Sequence, residues 1–158
     1  GAERMLDGLE VAHGRSKTGR RVVILGGGKL GLTLAESLRK HHEAEVTVVE
    51  SDKRIAGDVM PSFKWRHASW VEELGIRCLT SSSLIEVTAD SVKVRNAKGE
   101  EVHIAADTVI QADGATPAHP MFHEFEWMID ELHGCGDALV PRGLDAAISE
   151  GFRLGARL

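Results

Sequence analysis

Tyrosine is absent from this 158-residue chain, aromatic residues make up 4% of it, and it has only two cysteines and four prolines. Cys78 and Cys135 are far apart and no Cys-x-x-Cys occurs, which excludes a disulfide framework, a dithiol redox pair and a four-cysteine iron–sulfur cluster. No stretch approaches the ~18 consecutive apolar residues of a membrane span. The N-terminal segment lacks the apolar core of a signal peptide, so a cytoplasmic location and no membrane partner are expected. An excess of basic charge is missing too: 24 acidic residues face 19 basic ones, a net charge of -5. The one short basic cluster, Arg15, Lys17, Arg20 and Arg21, suits a solvated segment, and no nucleic-acid partner is expected. Without a Gly-x-Ser-x-Gly elbow there is no support for hydrolase chemistry. Trp65, Trp70 and Trp127 are expected to pack on helix faces rather than stack on bases.

What is present is an ordinary globular composition, 42% hydrophobic and 27% charged. Residues 1–19 carry charges and glycines with no clean period and read as a linker. Arg21-Val22-Val23-Ile24-Leu25 is a β-branched run ending in three glycines, the pattern of a strand buried on both faces of a parallel sheet. Leu30, Leu34 and Leu38 then recur every four residues through a Pro-free stretch from Lys29 to His42, which predicts a helix. Val46 to Val49 gives a second buried strand, 62–74 a second helix, and Ile76 to Leu79 a third strand. From Leu84 to Ile104 three short alternating runs separated by turn residues predict an antiparallel β-meander. Thr108 to Ala112 reads as one more strand, 123–132 as a short helix, and 144–158 as a closing helix. The expected fold class is α/β: a Rossmann-like βαβαβ parallel sheet carrying a three-stranded antiparallel meander.

Gly26-Gly27-Gly28-Lys29-Leu30-Gly31 fits G-x-G-x-x-G. Gly26 permits the tight turn, Gly28 leaves bare backbone for a pyrophosphate, and Gly31 lets helix and strand approach. Free amides at the helix start, with the helix dipole behind them, suit a diphosphate. Glu50 ends the next strand about twenty residues on, where a carboxylate grips the ribose hydroxyls of a dinucleotide. A 2′-phosphate would meet that charge, so NAD(H) is expected over NADP(H). Ser51 and Arg54 follow Glu50 and join the expected cofactor-binding set, although Lys53 or Arg54 could instead swing toward a 2′-phosphate. The cradle is expected to be open with the Glu50 carboxylate turned toward it; a side chain lodged in it, or that carboxylate pointed away, would overturn the assignment. A Walker-type loop is excluded because Leu30, not Ser or Thr, follows Lys29. His119, His123, His133 and Cys135 offer zinc-ligand types without a ligand frame, so no metal site is expected. No catalytic residue is assigned.

The order of these elements, with Val109-Ile110-Gln111-Ala112-Asp113-Gly114, Gly136-Asp137-Ala138, Pro141-Arg142 and Leu144 to Phe152, resembles the NAD(P)H-binding domain of FAD-dependent pyridine nucleotide oxidoreductases. Within these it is most similar to the C-terminal part of 2,4-dienoyl-CoA reductase and related NADH:flavin oxidoreductases of the old-yellow-enzyme type. The resemblance covers residues 5 to 155. It implies that residues 20–133 bind NAD(P)H, that 134–158 return into an FAD-binding domain, and that hydride passes from nicotinamide to FAD in the intact enzyme. It further implies that Gly114 lets the chain pass close to the cofactor and that Asp137 meets the flavin; from the residues alone, Asp137 could equally close a local turn. The first half of an FAD fold is missing, so FAD is not expected to bind this chain by itself. The expected partners are the remaining FAD and FMN domains of a larger polypeptide. Where related proteins often carry Glu two residues after the third glycine, this chain has Thr33. The rival readings are a regulatory NAD-sensing domain, which a continuing parallel sheet would favour over the meander, and a scaffold that has lost its ligand.

Overall fold

The computed structural model describes residues 5–115, 117 and 120–158. In chain order they form β1 (Met5–Asp7), α1 (Gly8–Ala12), β2 (Arg21–Leu25), α2 (Lys29–His42), β3 (Glu45–Val49), α3 (Pro61–Glu73), β4 (Arg77–Leu79), β5 (Ser83–Val87), β6 (Ser91–Arg95), β7 (Glu101–Ala105), β8 (Thr108–Gln111), α4 (Pro120–Phe125), a 3-10 turn (Gly136–Ala138) and α5 (Leu144–Gly155). The chain divides into two compact units, the first ending at Asp113 and the second running Gly114–Leu158.

In the first unit five parallel strands stand in the order β1-β8-β2-β3-β4, and β5-β6-β7 form a separate antiparallel sheet. This is the expected Rossmann-like α/β fold with its meander. Alternate residues of each strand face opposite ways, and the core splits accordingly. Val22, Ile24, Val46, Val48 and Ile110 pack with Leu34, Ala35 and Leu38 of α2. Val23, Leu25, Val49 and Val109 pack with Val92, Val94 and Ile104 of the meander. Both faces of the sheet are covered, which is why its strands read as unbroken apolar runs.

Three features differ from the sequence expectation. The expected linker over residues 1–19 contains a strand, because Met5–Asp7 pairs in parallel with Val109–Gln111. Three residues are too few to show a period of two, so the strand left no pattern to read. Asp7 then caps α1, its Oδ1 accepting from the amides of Leu9 at 2.8 Å and Glu10 at 3.1 Å. The two compact units meet between Asp113 and Gly114, whereas the sequence expectation sets its domain boundary after residue 133. The helix expected over 123–132 runs instead from Pro120 to Phe125, with proline in the first helical position that its fixed φ suits.

From β2 the chain steps outward through α2 and α3 to β4, then returns through the meander to place β8 on the other side of β2. The strand order therefore reverses at β2. Ligands of open α/β sheets bind at the carboxyl ends of strands beside such a reversal, and there Gly26 and Asp113 follow β2 and β8.

Two predictions follow from the packing. A Cβ on Gly31 would lie 2.0 Å from the Gly26 carbonyl oxygen. Alanine is worth about 1 kcal/mol over glycine inside a helix, but overpacking costs about 1–3 kcal/mol and more against backbone. Gly31→Ala is expected to lower unfolding stability by about 2 kcal/mol in urea titration; equal or greater stability would show that the close approach is not there. At the opposite end of the sheet, Asp107 accepts from Arg21 Nη2 at 2.5 Å, Arg21 Nε at 3.1 Å and the Arg21 amide at 2.9 Å. The guanidinium, with the backbone amide second, pulls the carboxyl from the ordinary 3.8 down to about 2. Because the folded value is the lower one, the stabilisation is present above 3.8 and is lost as pH falls toward 2. Asp107→Asn should therefore lose stability at neutral pH and decline less steeply than wild type across that window. Parallel acid-unfolding curves would contradict it.

Candidate functional site

The turn after β2 is built where only glycine fits. Gly26 has φ +105°, and a Cβ there would lie 2.8 Å from the Asp113 Cβ and 2.9 Å from the Asp113 amide nitrogen. It thus lets the ends of β2 and β8 close on each other. Gly28 is the N-cap of α2 and brings no side chain to satisfy the first amides. Gly31 sits against Gly26 as described, and Leu30 packs on the core while Lys29 is exposed. Glu50 follows β3 and turns toward this loop. Its Oε2 accepts from the Gly27 amide at 2.6 Å, while Oε1 accepts from the Asp52 amide at 2.8 Å and from Ser51 Oγ at 3.1 Å. The structure thus gathers Gly26, Gly27, Gly28, Lys29, Leu30, Gly31, Glu50 and Ser51 at one place, with Glu50 held by three donors. Arg54 lies exposed on the loop that follows.

The expected open cradle is corrected in one respect. Asp58, which the sequence pattern did not single out, sets its carboxylate on the first amide of α2, with Oδ1 at 2.8 Å and Oδ2 at 3.1 Å from the Lys29 nitrogen. A Cβ on Gly28 would lie 2.9 Å from the same carboxylate. The reason is the one that favours phosphate there: unpaired amides and the helix dipole attract any nearby anion. The loop carrying Asp58 is fastened on both sides. Ala56 donates its amide to the Gly27 carbonyl at 2.7 Å, and buried Ala56 and Val59 pack on Leu32 of α2. A third carboxylate, Asp113, is pushed above the ordinary carboxylate value by partial burial and, second, by Glu50. One signal for Asp58 exists in hindsight: a Gly-Asp pair in the loop directly after the βαβ unit.

Gly114 and Asp137 belong to the second unit. Gly114 is exposed with φ +74°. Asp137 accepts from the amides of Arg142 and Gly143, each at 2.9 Å, and these bonds hold its carboxyl below the usual range. It closes its own loop, the local reading left open in the sequence. Glu150 of α5 accepts from the Gly136 amide at 2.8 Å and pairs with Arg142, fixing the same turn.

Other chemistry is sparse among the described residues. His133 pairs with Glu131 at 3.1 Å and His123 with Glu126 at 3.7 Å, while His119 lies outside the described residues. Both cysteines are free thiols. Burial pushes Cys78 up to about 11, so at neutral pH it is a packing group and not a nucleophile. No helix among the described residues is long and apolar enough to cross a membrane.

The chain is 27% identical to a metal reductase of Desulforamulus reducens over 94% of its length, which is 26% of that protein. It is 37% identical to a dihydrolipoyl dehydrogenase of Pseudomonas aeruginosa over 62% of its length, 21% of that enzyme. Among solved structures, 2-naphthoyl-CoA reductase in complex with 2-naphthoyl-CoA superposes with a TM-score of 0.86 at 27% identity, covering 99% of this chain and 24% of the other. The chain thus spans about a quarter of the proteins it matches. A profile of the pyridine nucleotide-disulphide oxidoreductases matches residues 5–133, and the chain belongs to that family.

Proposed function

We propose that this chain is the nicotinamide-dinucleotide-binding part of a larger flavin-dependent reductase, holding NAD(P)H so that its hydride can pass to FAD. The observation that carries this reading is the shape of the turn after β2. Side chains are excluded at Gly26 and Gly31 by contacts of 2.8 and 2.0 Å, and Glu50 stands against the same turn with its Oε2 on the Gly27 amide at 2.6 Å. The backbone of Gly26 to Gly31 would take the diphosphate and Glu50 the adenosine ribose, with Ser51 and Asp52 keeping the carboxylate aimed. When bound, the nicotinamide supplies the hydride and the flavin accepts it. The chain's own share is to bind and orient.

The comparisons support the larger setting; a flavin reductase resembling dienoyl-CoA reductase within it is our reading of the sequence motifs. The larger setting is also supported by α5, where Leu144 (73% exposed), Ile148 (64%) and Phe152 (78%) recur every four residues. An apolar stripe of this kind is expected to be covered, and the remaining FAD and FMN domains of such a polypeptide would cover it. Residues 134–158 then belong to that return, with Gly114 and Asp137 near the flavin. Glu50 favours NADH, since a 2′-phosphate would place like charge against it. One observation favours a second reading. With Asp58 on the Lys29 amide, the turn could be a scaffold closed on its own carboxylate that takes no dinucleotide.

Titrating the 158-residue chain with NADH and NADPH, followed by nicotinamide fluorescence, separates the two. Saturable binding, about tenfold tighter for NADH, is expected. Glu50→Ala should weaken NADH by about tenfold and narrow the preference. If neither nucleotide saturates the chain, the scaffold reading stands in its place.

A further inference from the structure

We propose that Asp58 is a built-in competitor for the dinucleotide: its carboxylate occupies the place of a phosphate on the Lys29 amide and must withdraw before diphosphate can bind. This inference rests on the dinucleotide reading above and deepens it, by naming the residue that sets affinity at that site. Both carboxylate oxygens lie within 3.1 Å of the Lys29 nitrogen, the first amide of α2. Gly28, the residue whose bareness would admit a phosphate, has its open side filled by the same two oxygens, at 2.9 and 3.0 Å from where a Cβ would stand. One amide and one open face cannot serve two anions at once.

Asp58 is not a stray surface group. The residues around it are fixed: Ala56 is 2% exposed and Val59 7% exposed, both against Leu32, and the Ala56 amide is tied to the Gly27 carbonyl at 2.7 Å. Ala56 holds φ +58° to make this approach, a conformation alanine adopts only when its surroundings impose it. Asp58 itself is exposed, so its side chain can rotate into water while Ala56 and Val59 stay seated. Charge adds to occupancy. Glu50 and Asp113 already surround the turn, and a diphosphate arriving beside Asp58 meets a third carboxylate. Dinucleotide binding is therefore the difference between two anions at one helix start, and Asp58 lowers it.

The test separates this role from an ordinary cap. Asp58→Asn keeps an oxygen acceptor for the Lys29 amide and removes the charge; Asp58→Ala removes both. If Asp58 is a competitor, the two measurements move oppositely. Asp58→Ala lowers the melting temperature of the free chain, because a cap is lost. It also tightens NADH about twofold to fivefold, the range set by one exposed charge at a helix start. Asp58→Asn tightens NADH with a smaller loss of melting temperature. Inorganic diphosphate, used as a second probe in competition with NADH, should follow the same order. Wild-type binding with unchanged or weaker NADH binding in both variants overturns the competitor role and leaves the dinucleotide reading in place. Absence of saturable binding in the wild type and both variants overturns both.

Discussion

The start of α2 is pressed against the turn that leaves β2, so closely that a single methyl group at position 31 would fall 2.0 Å from a backbone oxygen. That approach fixes the direction of the helix, and the helix direction aims its first amides over the carboxyl ends of β2 and β8. Without it, α2 could still bury Leu34, Ala35 and Leu38 on the sheet, but its positive end would not be held at the reversal of strand order. Apolar burial makes the layer, and the contact of Gly31 with Gly26 makes the layer usable.

Once the amides are aimed, electrostatics decides what sits on them. A helix start with a bare N-cap attracts anions of any origin, and this sequence supplies two from within. Glu50 takes the Gly27 amide and Asp58 the Lys29 amide. The two carboxylates are held differently. Glu50 is half-buried and locked by three donors, so it is a fixed wall of the site; Asp58 is exposed and linked to one amide. The chain thus carries a permanent carboxylate suited to a sugar and a removable one suited to standing where a phosphate would be.

How much of this was legible depended on whether a feature repeats along the chain. The buried strands announce themselves through unbroken apolar runs, α2 and the meander through periods of four and of two residues, and Gly26, Gly28, Gly31 and Glu50 through their spacing. β1 escaped because three residues hold no period, although its pairing with β8 widens the sheet to five strands. Asp58 escaped because its role rests on tertiary contacts of Ala56 and Val59 with Leu32, which the Gly-Asp pair in its loop does not by itself reveal. Asp137 had two readings in sequence, and the structure shows its carboxylate on the amides of Arg142 and Gly143. In each case the missing information was a partner distant in the chain or a backbone direction.

The most direct measurement is amide NMR of the 15N-labelled chain during addition of NADH. If the dinucleotide lies across the start of α2, the largest shifts at saturation belong to the amides of Gly26 to Gly31 and of the residues at Glu50, with Lys29 moving as Asp58 leaves it. Saturable binding whose shifts fall elsewhere, with the amides of Gly27, Gly28 and Lys29 unmoved, would contradict the assignment of this turn as the site.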